Sequence, residues 1–341
     1  MLKKIHYFIL YSIICLIASL VATGCGKPIS HKETRMLMGT MVSVEIVGNS
    51  SEDVARITEK VWSEAARLDS VFSLYLPDSE ISRINREAGR YPVPVSDEMM
   101  EVLSCAEDIS RITDGAFDIS VGPLMEIWGF FPERKGRVPS EEEVANSMAR
   151  VGWRAIELDR SAGTIHFAKV GMEIDLGALA KGYVVDRLAE LLRKEGIDNA
   201  MVNAGGDIYC LGDNPGGRNW RIGIEHPRDE GEILTVLELK NRAVATSGDY
   251  RNYFIKSRLR YSHIIDPRTG RPARSKVVEV SVMAPDCMTA DGLATSMFVM
   301  GAAKGINLLK EIEDVDGVIV TKEEDDIELH FSDESIEPQR R

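Results

Sequence analysis

Cysteine is scarce in this sequence, which excludes a fold held together by disulfide bonds. Five cysteines occur in 341 residues; Cys15 falls in a predicted N-terminal signal, and Cys25 directly follows it. The other three, Cys105, Cys210 and Cys287, can form at most one disulfide, and their spacing matches no zinc-binding motif. A chain of this length can instead bury a substantial apolar core.

Basic residues are also in deficit. Lysine and arginine number 41 against 54 aspartates and glutamates, which gives a net charge of −13. Removal of residues 1–24 would take away Lys3 and Lys4 and change the balance to 39 − 54 = −15. An acidic surface of this kind argues against nucleic-acid binding.

The common phosphate-binding motifs are missing. The stretch DLGALAKGYVVD (175–186) predicts a strand that ends at Asp175–Gly177 and a helix that begins almost at once. Such a turn can present backbone N–H groups to a phosphate, with Lys181 as a nearby cation, but it lacks the Gly-Lys-Ser/Thr ending of a Walker loop. The turn NAGGD (203–207) likewise lacks the GxGxxG pattern of dinucleotide-binding proteins.

The N-terminus has the pattern of an export signal. Lys3 and Lys4 precede an apolar run from Tyr7 to Val21, and Thr-Gly-Cys follows at 23–25. This pattern predicts a lipoprotein signal peptide at residues 1–24 and a lipid on Cys25. The alternative is a retained membrane span, although the run is shorter than the ~20 residues that a spanning helix needs. We expect an exported protein, lipid-anchored to a bacterial membrane at the periplasmic face of the inner membrane or at the cell surface.

The remaining chain is expected to fold without an internal linker. Residues 25–34 are predicted to be a polar tether, 35–334 one large domain, and 335–341 a frayed tail. Apolar periodicity predicts helices at 53–68, after Ser96 and at 141–148, and strands at 41–46 and on both sides of a turn at 160–163. Further hairpins are predicted: YSHIID joined through PRTG to a strand at 277–283, and an edge pair at 317–320 and 327–331. We expect an α+β fold with mostly antiparallel sheets, packed helices and two intimate lobes.

A polar turn that opens into an apolar helix predicts a metal site. The stretch APDCMTADGLATSMFVMG (284–301) contains Thr289 as an N-cap, and Asp291 and Thr295 then lie four residues apart on the first helical turn. Two such oxygen ligands suit Mg²⁺. Alternatively, Asp291 complements the helix dipole and Thr295 packs in the core.

Three other features have both a functional and a structural interpretation. Tyr75 precedes a Pro77-Asp78 turn and could face a cleft or the core. The Gly- and aromatic-rich segment 113–130 could supply backbone groups to a ligand or form a buried loop. His263, in the predicted hairpin, could be catalytic or structural.

Eight stretches, taken in order, resemble the FAD:protein FMN transferases, the ApbE family. They extend from about residue 36 to residue 301. They are MGT (38–40), FSLYLPDSEISRIN (72–85), GAFDISVGPLMEIWGF (115–130), DLGALAKGYVVD (175–186), NAGGDI (203–208), TSGDYRNYF (246–254), SHIIDPRTG (262–270) and ADGLATSMFVMG (290–301).

The resemblance implies a flavin transferase domain and an exported enzyme. Such an enzyme uses a divalent cation, Mg²⁺ or Mn²⁺, to transfer FMN from FAD to a threonine of an acceptor flavoprotein, releasing AMP. The implied acceptor is a subunit of a membrane-bound redox complex. The implied metal ligands are the carbonyl of Ala178 and the side chains of Asp291 and Thr295; some relatives carry a second acid where this chain has Ala294. The implied FAD-binding residues are Met38, Tyr75, Ala116, Phe117, Asp118, Asp175, Lys181 and His263.

His263 is our candidate for the general base that takes the threonine proton, because it is the only histidine within these stretches and its ordinary pKa is near neutrality. An aspartate of the same cluster is the competing candidate. Two other functions would use the same residues. One is a pyrophosphatase that splits FAD to FMN and AMP with water as nucleophile, and the other is a non-enzymatic flavin-binding lipoprotein.

Overall fold

A computed structural model describes residues 29–48, 50–130, 136–229, 231–324, 326–333 and 336. The helices of this part are α1 (Ser51–Phe72), α2 (Glu80–Glu87), α3 (Asp97–Ile112), α4 (Gly122–Trp128), α5 (Glu141–Met148), α6 (Ala180–Lys194), α7 (Cys287–Met300) and α8 (Ala302–Leu309). The strands are β1 (Ile29–Leu37), β2 (Thr40–Gly48), β3 (Val93–Pro94), β4 (Ile156–Asp159), β5 (Thr164–Phe167), β6 (Asn199–Ala204), β7 (Asp207–Leu211), β8 (Trp220–Glu225), β9 (Ile233–Leu239), β10 (Arg242–Gly248), β11 (Tyr253–Lys256), β12 (Leu259–Ser262), β13 (Ile265–Asp266), β14 (Arg271–Pro272), β15 (Val277–Ala284), β16 (Asp316–Glu323) and β17 (Asp326–Phe331).

An eight-stranded antiparallel sheet forms the centre of the fold, in the order β1-β2-β6-β7-β10-β15-β16-β17. Every residue of β15 is buried, because both faces of the sheet are covered at this strand. Val280 and Val282 belong to the main core with α7, whereas Val278 and Met283 pack with the β8–β9 hairpin on the other face. The predicted α+β class with mostly antiparallel sheets is confirmed.

Serine caps set the starts of several predicted helices. Ser96 accepts a hydrogen bond from the backbone N–H of Met99 at the start of α3. Ser140 and Glu143 form a reciprocal capping box at α5, whose bounds match the prediction. The predicted helix at 53–68 is confirmed as the longer α1, with its apolar stripe buried. The edge hairpin of β16 and β17 and the turn between β4 and β5 are also confirmed.

Three local predictions were wrong. Residues 29–34 of the predicted tether belong to β1, because their backbone pairs with β2, although the side chains of residues 30–34 are mostly exposed. The strand at 277–283 does not return onto YSHIID; it is β15 and pairs with β10 and β16, while β13 pairs only with the two-residue β14. No strand ends at 175–177, since the nearest pairing is an isolated bridge between Val121 and Glu173, two residues before Asp175.

The predicted leader at 1–24, the lipid site Cys25 and most of the tail at 335–341 lie outside the described residues. Across the residues that are described, no helix combines the length and apolar character needed to cross a bilayer. Cys105, Cys210 and Cys287 are all free thiols, in agreement with the exclusion of a disulfide scaffold. The division into two lobes stays a prediction.

Glu279 is a buried carboxylate on β15 that should make stability depend on pH. Burial raises its pKa to about 7, against a smaller opposing effect of the hydrogen bond from Tyr250. Because the folded pKa exceeds the unfolded value, the folded state favours the protonated form, and stability should fall as pH rises from about 4.5 to 7.

Glu279→Gln should remove this pH dependence, so the stability of the variant relative to the unaltered chain should rise by on the order of 3 kcal/mol between pH 4.5 and pH 8. Urea unfolding at both pH values measures the gain. The exposed Glu238→Gln serves as the control, and an equal pH response of the two variants would contradict the expectation.

Candidate active site

One cavity of about 580 Å³ lies where the main sheet, α6 and α7 meet. Its walls come from the β1–β2 turn, the segment after α1, the loop before α4, the segment 175–181, the β6–β7 turn, β10 and α7. All the predicted FAD and metal residues line it: Met38, Tyr75, Ala116, Phe117, Asp118, Asp175, Ala178, Lys181, His263, Asp291 and Thr295. The structure therefore brings together residues from six separate stretches, while their roles in binding and catalysis stay predictions.

Met38 and Tyr75 lie together at the rim of the cavity. The β1–β2 turn places Met38 and Gly39 at positive φ, 51° and 69°. A Cβ added at Gly39 would lie 2.6 Å from the Tyr75 hydroxyl oxygen, so only glycine allows the tyrosine to pack here. The Tyr75 side chain is nevertheless 54% exposed and can cover an aromatic ring in the cavity.

Asp118 holds the loop before α4 in place with its side chain. One carboxylate oxygen accepts hydrogen bonds from the backbone N–H and hydroxyl of Ser120, and the other accepts the backbone N–H of Trp153 at 2.8 Å. Burial raises its pKa, against the opposing effect of these bonds. Since the carboxylate is fully engaged within the protein, Asp118 can serve a ligand mainly through the shape and backbone of its loop.

The segment before α6 is shaped by hydrogen bonds rather than by strand pairing. The backbone N–H of Asp175 donates to the Ile119 carbonyl at 2.7 Å, and its carboxylate accepts the N–H of Gly177, also at 2.7 Å. This turn brings Ala178 and Lys181 to the cavity. The predicted helix start directly after this turn is confirmed, since α6 begins at Ala180, although no strand precedes it. Phosphate binding by this turn stays a prediction.

Lys181 lies between two buried carboxylates. Its ammonium nitrogen is 2.9 Å from a carboxylate oxygen of Asp207, 3.0 Å from Asp291 and 2.7 Å from the Gly177 carbonyl. Burial by itself lowers the Lys181 pKa, but the two carboxylates outweigh it and raise the pKa overall. Burial and the Asp207 charge raise the pKa of Asp291, which Lys181 only partly offsets. The cluster of Lys181, Asp207 and Asp291 contains two carboxyl groups and one amine, so an additional cation would balance its charge.

These residues fit a divalent cation. Asp291 and Thr295 lie one turn apart on α7, and both line the cavity with Ala178. The Asp207 oxygen nearest Lys181 is buried, and among the residues that the structure describes it accepts no hydrogen bond of good geometry; its contact with Lys181 is an ion pair at 2.9 Å. A carboxylate, a hydroxyl and a carbonyl are oxygen ligands of the kind Mg²⁺ accepts, and a cation here would offset the excess negative charge.

The start of α7 differs from the prediction. The N-cap is Asp286, whose side chain accepts the backbone N–H of Thr289 at 2.8 Å, so the predicted cap Thr289 is wrong. Asp291 and Thr295 therefore lie beyond the first helical turn. Asp186 of α6 also accepts the N–H groups of Cys287 and Met288, which ties the two helices together.

Gly182 lets α6 and α7 approach each other directly. A Cβ at this position would lie 2.4 Å from the Cys287 carbonyl oxygen and 2.7 Å from the Met288 Cα, both backbone atoms. We expect Gly182→Ala to destabilise the fold by about 2 kcal/mol and to lower activity, because overpacking would separate Lys181 from Asp291.

Gly305→Ala on α8 is the matched control, since its Cβ would meet chiefly the flexible end of Ile319. Thermal unfolding and the apparent affinity for Mg²⁺ measure both variants. If Gly182→Ala changed neither quantity more than the control, the two helices would have more freedom than the structure indicates.

His263 follows β12 and lies between it and β13, rather than on the strand that was predicted. Its Nδ1 lies 3.1 Å from the Asn252 carbonyl oxygen. A carbonyl can only accept, so Nδ1 carries the proton and Nε2 keeps its lone pair. Burial lowers the His263 pKa to about 4, with the charges of Lys181 and Arg251 acting in the same direction. The ring is therefore neutral at pH 7 with the Nε2 lone pair available, although the lowered pKa makes it a weaker base than an ordinary histidine.

Sequence reasoning did not assign several polar residues that line the cavity, among them Asp207, Ser247 and Arg251. Asp207 closes the NAGGD turn, a stretch that was recognised without a role for its aspartate. Ser247 lies 3.0 Å from Thr295, oxygen to oxygen, and Arg251 donates to the Gly205 carbonyl at 2.6 Å. Both belong to the TSGDYRNYF stretch, which was the available signal for them.

Comparison with known proteins identifies the family. Residues 38–319 match the model of the ApbE family. The FAD:protein FMN transferase of Vibrio cholerae is 36% identical over 324 residues, covering 94% of this chain and 96% of the relative. The solved structure of the flavin transferase ApbE from Vibrio cholerae and the crystal structure of the flavinyl transferase ApbE from Pseudomonas stutzeri, apo form, match this fold with TM-scores of 0.82 and 0.80. They are 34% and 31% identical, and cover 89% and 90% of this chain and 97% and 96% of their own. The chain is therefore a transferase and belongs to the ApbE family.

Proposed function

We propose that this protein transfers FMN from FAD to a threonine hydroxyl of an acceptor flavoprotein and releases AMP, with Mg²⁺ or Mn²⁺ as the metal. The observation that carries the proposal is the single cavity in which the predicted flavin residues, the Asp291–Thr295 pair and His263 converge. The names of the relatives support the substrates. They also count against a non-enzymatic carrier, which would need no transferase activity.

The proposed step exchanges the phosphoanhydride bond of FAD for a phosphate ester bond to threonine. The threonine oxygen attacks the phosphorus on the FMN side of the FAD pyrophosphate, the new O–P bond forms, and the P–O bond to AMP breaks. The threonine proton passes to Nε2 of His263, which is neutral and unprotonated at that atom. Lys181 is positioned to share the phosphate charge, and Tyr75 to cover a ring of the dinucleotide.

Ala178, Asp291 and Thr295 would hold the cation. When bound, it would neutralise charge on the pyrophosphate and on the departing AMP. The side chains themselves would position the cation and the pyrophosphate. Asp291 and Thr295 are fixed on a buried helix, and Lys181 is held by Asp207 and Asp291.

The location of the protein is part of the proposal. The leader at 1–24 and a lipid on Cys25 would place it on a bacterial membrane, beside an acceptor that is a subunit of a membrane redox complex in the same compartment.

Intact-mass measurement tests the reaction. The full-length chain in detergent is incubated with FAD, Mg²⁺ and the soluble domain of a flavin-carrying subunit of a membrane redox complex from the same organism. We expect the acceptor to gain the mass of one FMN less one water, as expected for an FMN ester of a threonine, with one AMP released for each. AMP and free FMN without the adduct would instead indicate the FAD pyrophosphatase reaction.

A further inference from the structure

The β11–β12 hairpin stands apart from the main sheet and leads directly into the cavity. In the described part of the chain, β11 and β12 pair only with each other. The residues that flank them, Asn252 and His263, are joined by a backbone hydrogen bond of 3.0 Å and both line the cavity. Anything bound along this hairpin is therefore adjacent to the proposed general base.

One face of the hairpin is fixed against the protein and the other is open. Phe254 and Tyr261 stack at 5.0 Å between ring centroids, and Phe130 packs against Phe254. Tyr253 and Ile255 alternate with these residues and face outwards, with 40% and 63% of their surface exposed. A rigid hairpin that exposes apolar side chains beside a cavity is suited to contact another polypeptide.

The hairpin is also basic, in contrast to the acidic chain as a whole. Residues 250–265 contain four cations, Arg251, Lys256, Arg258 and Arg260, and no aspartate or glutamate. Arg260 lies over the Tyr253 ring and near Asp249. Lys256 and Arg258 are exposed at the tip and have no ion-pair partner among the described residues.

The turn at the tip of the hairpin carries a charged residue at a backbone position that favours glycine. Ser257 and Arg258 form the turn at φ values of 51° and 64°, positions at which Asn and Gly are preferred in two-residue hairpin turns. The strained conformation thus presents the Arg258 side chain at the end of the hairpin.

We propose that the outer face and basic tip of the β11–β12 hairpin dock an extended, acidic segment of the acceptor flavoprotein, close to its target threonine. This inference rests on the proposed function. An anionic membrane surface would also attract these cations, but the direct continuation of the hairpin into the cavity through Asn252 and His263 favours the acceptor.

The test compares a charge reversal at the tip with a remote one. Lys256→Glu with Arg258→Glu, and separately Ile255→Ser, are assayed for FMN incorporation against acceptor concentration, using the same soluble acceptor domain as in the mass experiment. We expect each variant to raise the KM for the acceptor about tenfold or more, with kcat and the Kd for FAD within twofold of the unaltered chain. Lys304→Glu with Arg218→Glu makes the same charge change at two other exposed residues, away from the cavity, and should leave KM unchanged.

Two further results separate the possibilities. Replacing acidic residues near the acceptor threonine by lysine should restore a low KM with the Lys256→Glu, Arg258→Glu variant, as expected for direct charge pairing. A KM within twofold of the unaltered chain would overturn the inference while leaving the proposed function intact. If the KM stays within twofold of the unaltered chain but the variant no longer binds phosphatidylglycerol vesicles, the hairpin contacts the membrane rather than the acceptor. If the unaltered chain transfers FMN to no acceptor, the proposed function fails and the inference with it.

Discussion

Asp291→Asn is expected to lower FMN transfer by roughly 10³-fold or more, because it removes the only carboxylate among the proposed metal ligands. The same change should not destabilise the fold in the absence of metal. Burial and the neighbouring Asp207 already disfavour the Asp291 charge, and the variant lacks that charge. We therefore expect an unfolding temperature at pH 8 no lower than that of the unaltered chain, together with loss of the stabilisation that Mg²⁺ and FAD give.

Asp286→Asn is the matched control for this prediction. It makes the same chemical change on the same helix, and asparagine caps a helix as well as aspartate does. Activity, Mg²⁺ titration and thermal unfolding should all be close to those of the unaltered chain. Near-normal transfer by Asp291→Asn at low Mg²⁺ would show that the cation is held elsewhere.

His263→Ala is expected to keep FAD affinity within a few-fold and to lower transfer to the acceptor by roughly 10²- to 10⁴-fold. The expectation follows from the neutral ring at the cavity wall with Nε2 available. Because burial lowers the pKa of His263 to about 4, the rate of the unaltered chain should not fall with a midpoint near 6.5. Its acid limb should lie well below that value.

Added imidazole distinguishes a role of His263 as the base from a purely structural role, because imidazole can replace a missing base but not a missing structural contact. It should restore part of the rate of His263→Ala, since the truncated side chain leaves space for it beside the cavity. His166→Ala on β5, where His166 pairs with Glu157, serves as the control and should have no effect on transfer. A His263→Ala enzyme that transfers at a near-normal rate would exclude His263 as the base and favour an aspartate of the cluster.

Local features of the fold were predictable because their signals are local. Ser96 and Ser140 cap the helices that follow them, and alternation in β2 buries Val42, Val44 and Ile46. The start of α7 was not predictable in the same way. That helix is buried on nearly every side, so no polar face marks its first turn, and Asp286 and Thr289 are both acceptable caps.

Long-range pairings were the main source of error. The partner of β15 is β10 on one side and β16 on the other, and nothing within 277–284 distinguishes these from the nearer YSHIID stretch. Eleven of the residues that line the cavity were predicted, from the ordered set of family motifs. The Asp207–Lys181–Asp291 arrangement was not, because it joins three segments whose contact depends on the finished fold.

The early start of β1 limits how far the proposed lipid could let the enzyme move. Cys25 precedes Ile29 by four residues, which span at most about 14 Å when fully extended. The predicted tether of ten residues would have spanned about 35 Å. The folded body would therefore remain almost in contact with the lipid headgroups. Only an acceptor whose flavin-bearing domain also stays close to the bilayer could present its threonine at the cavity.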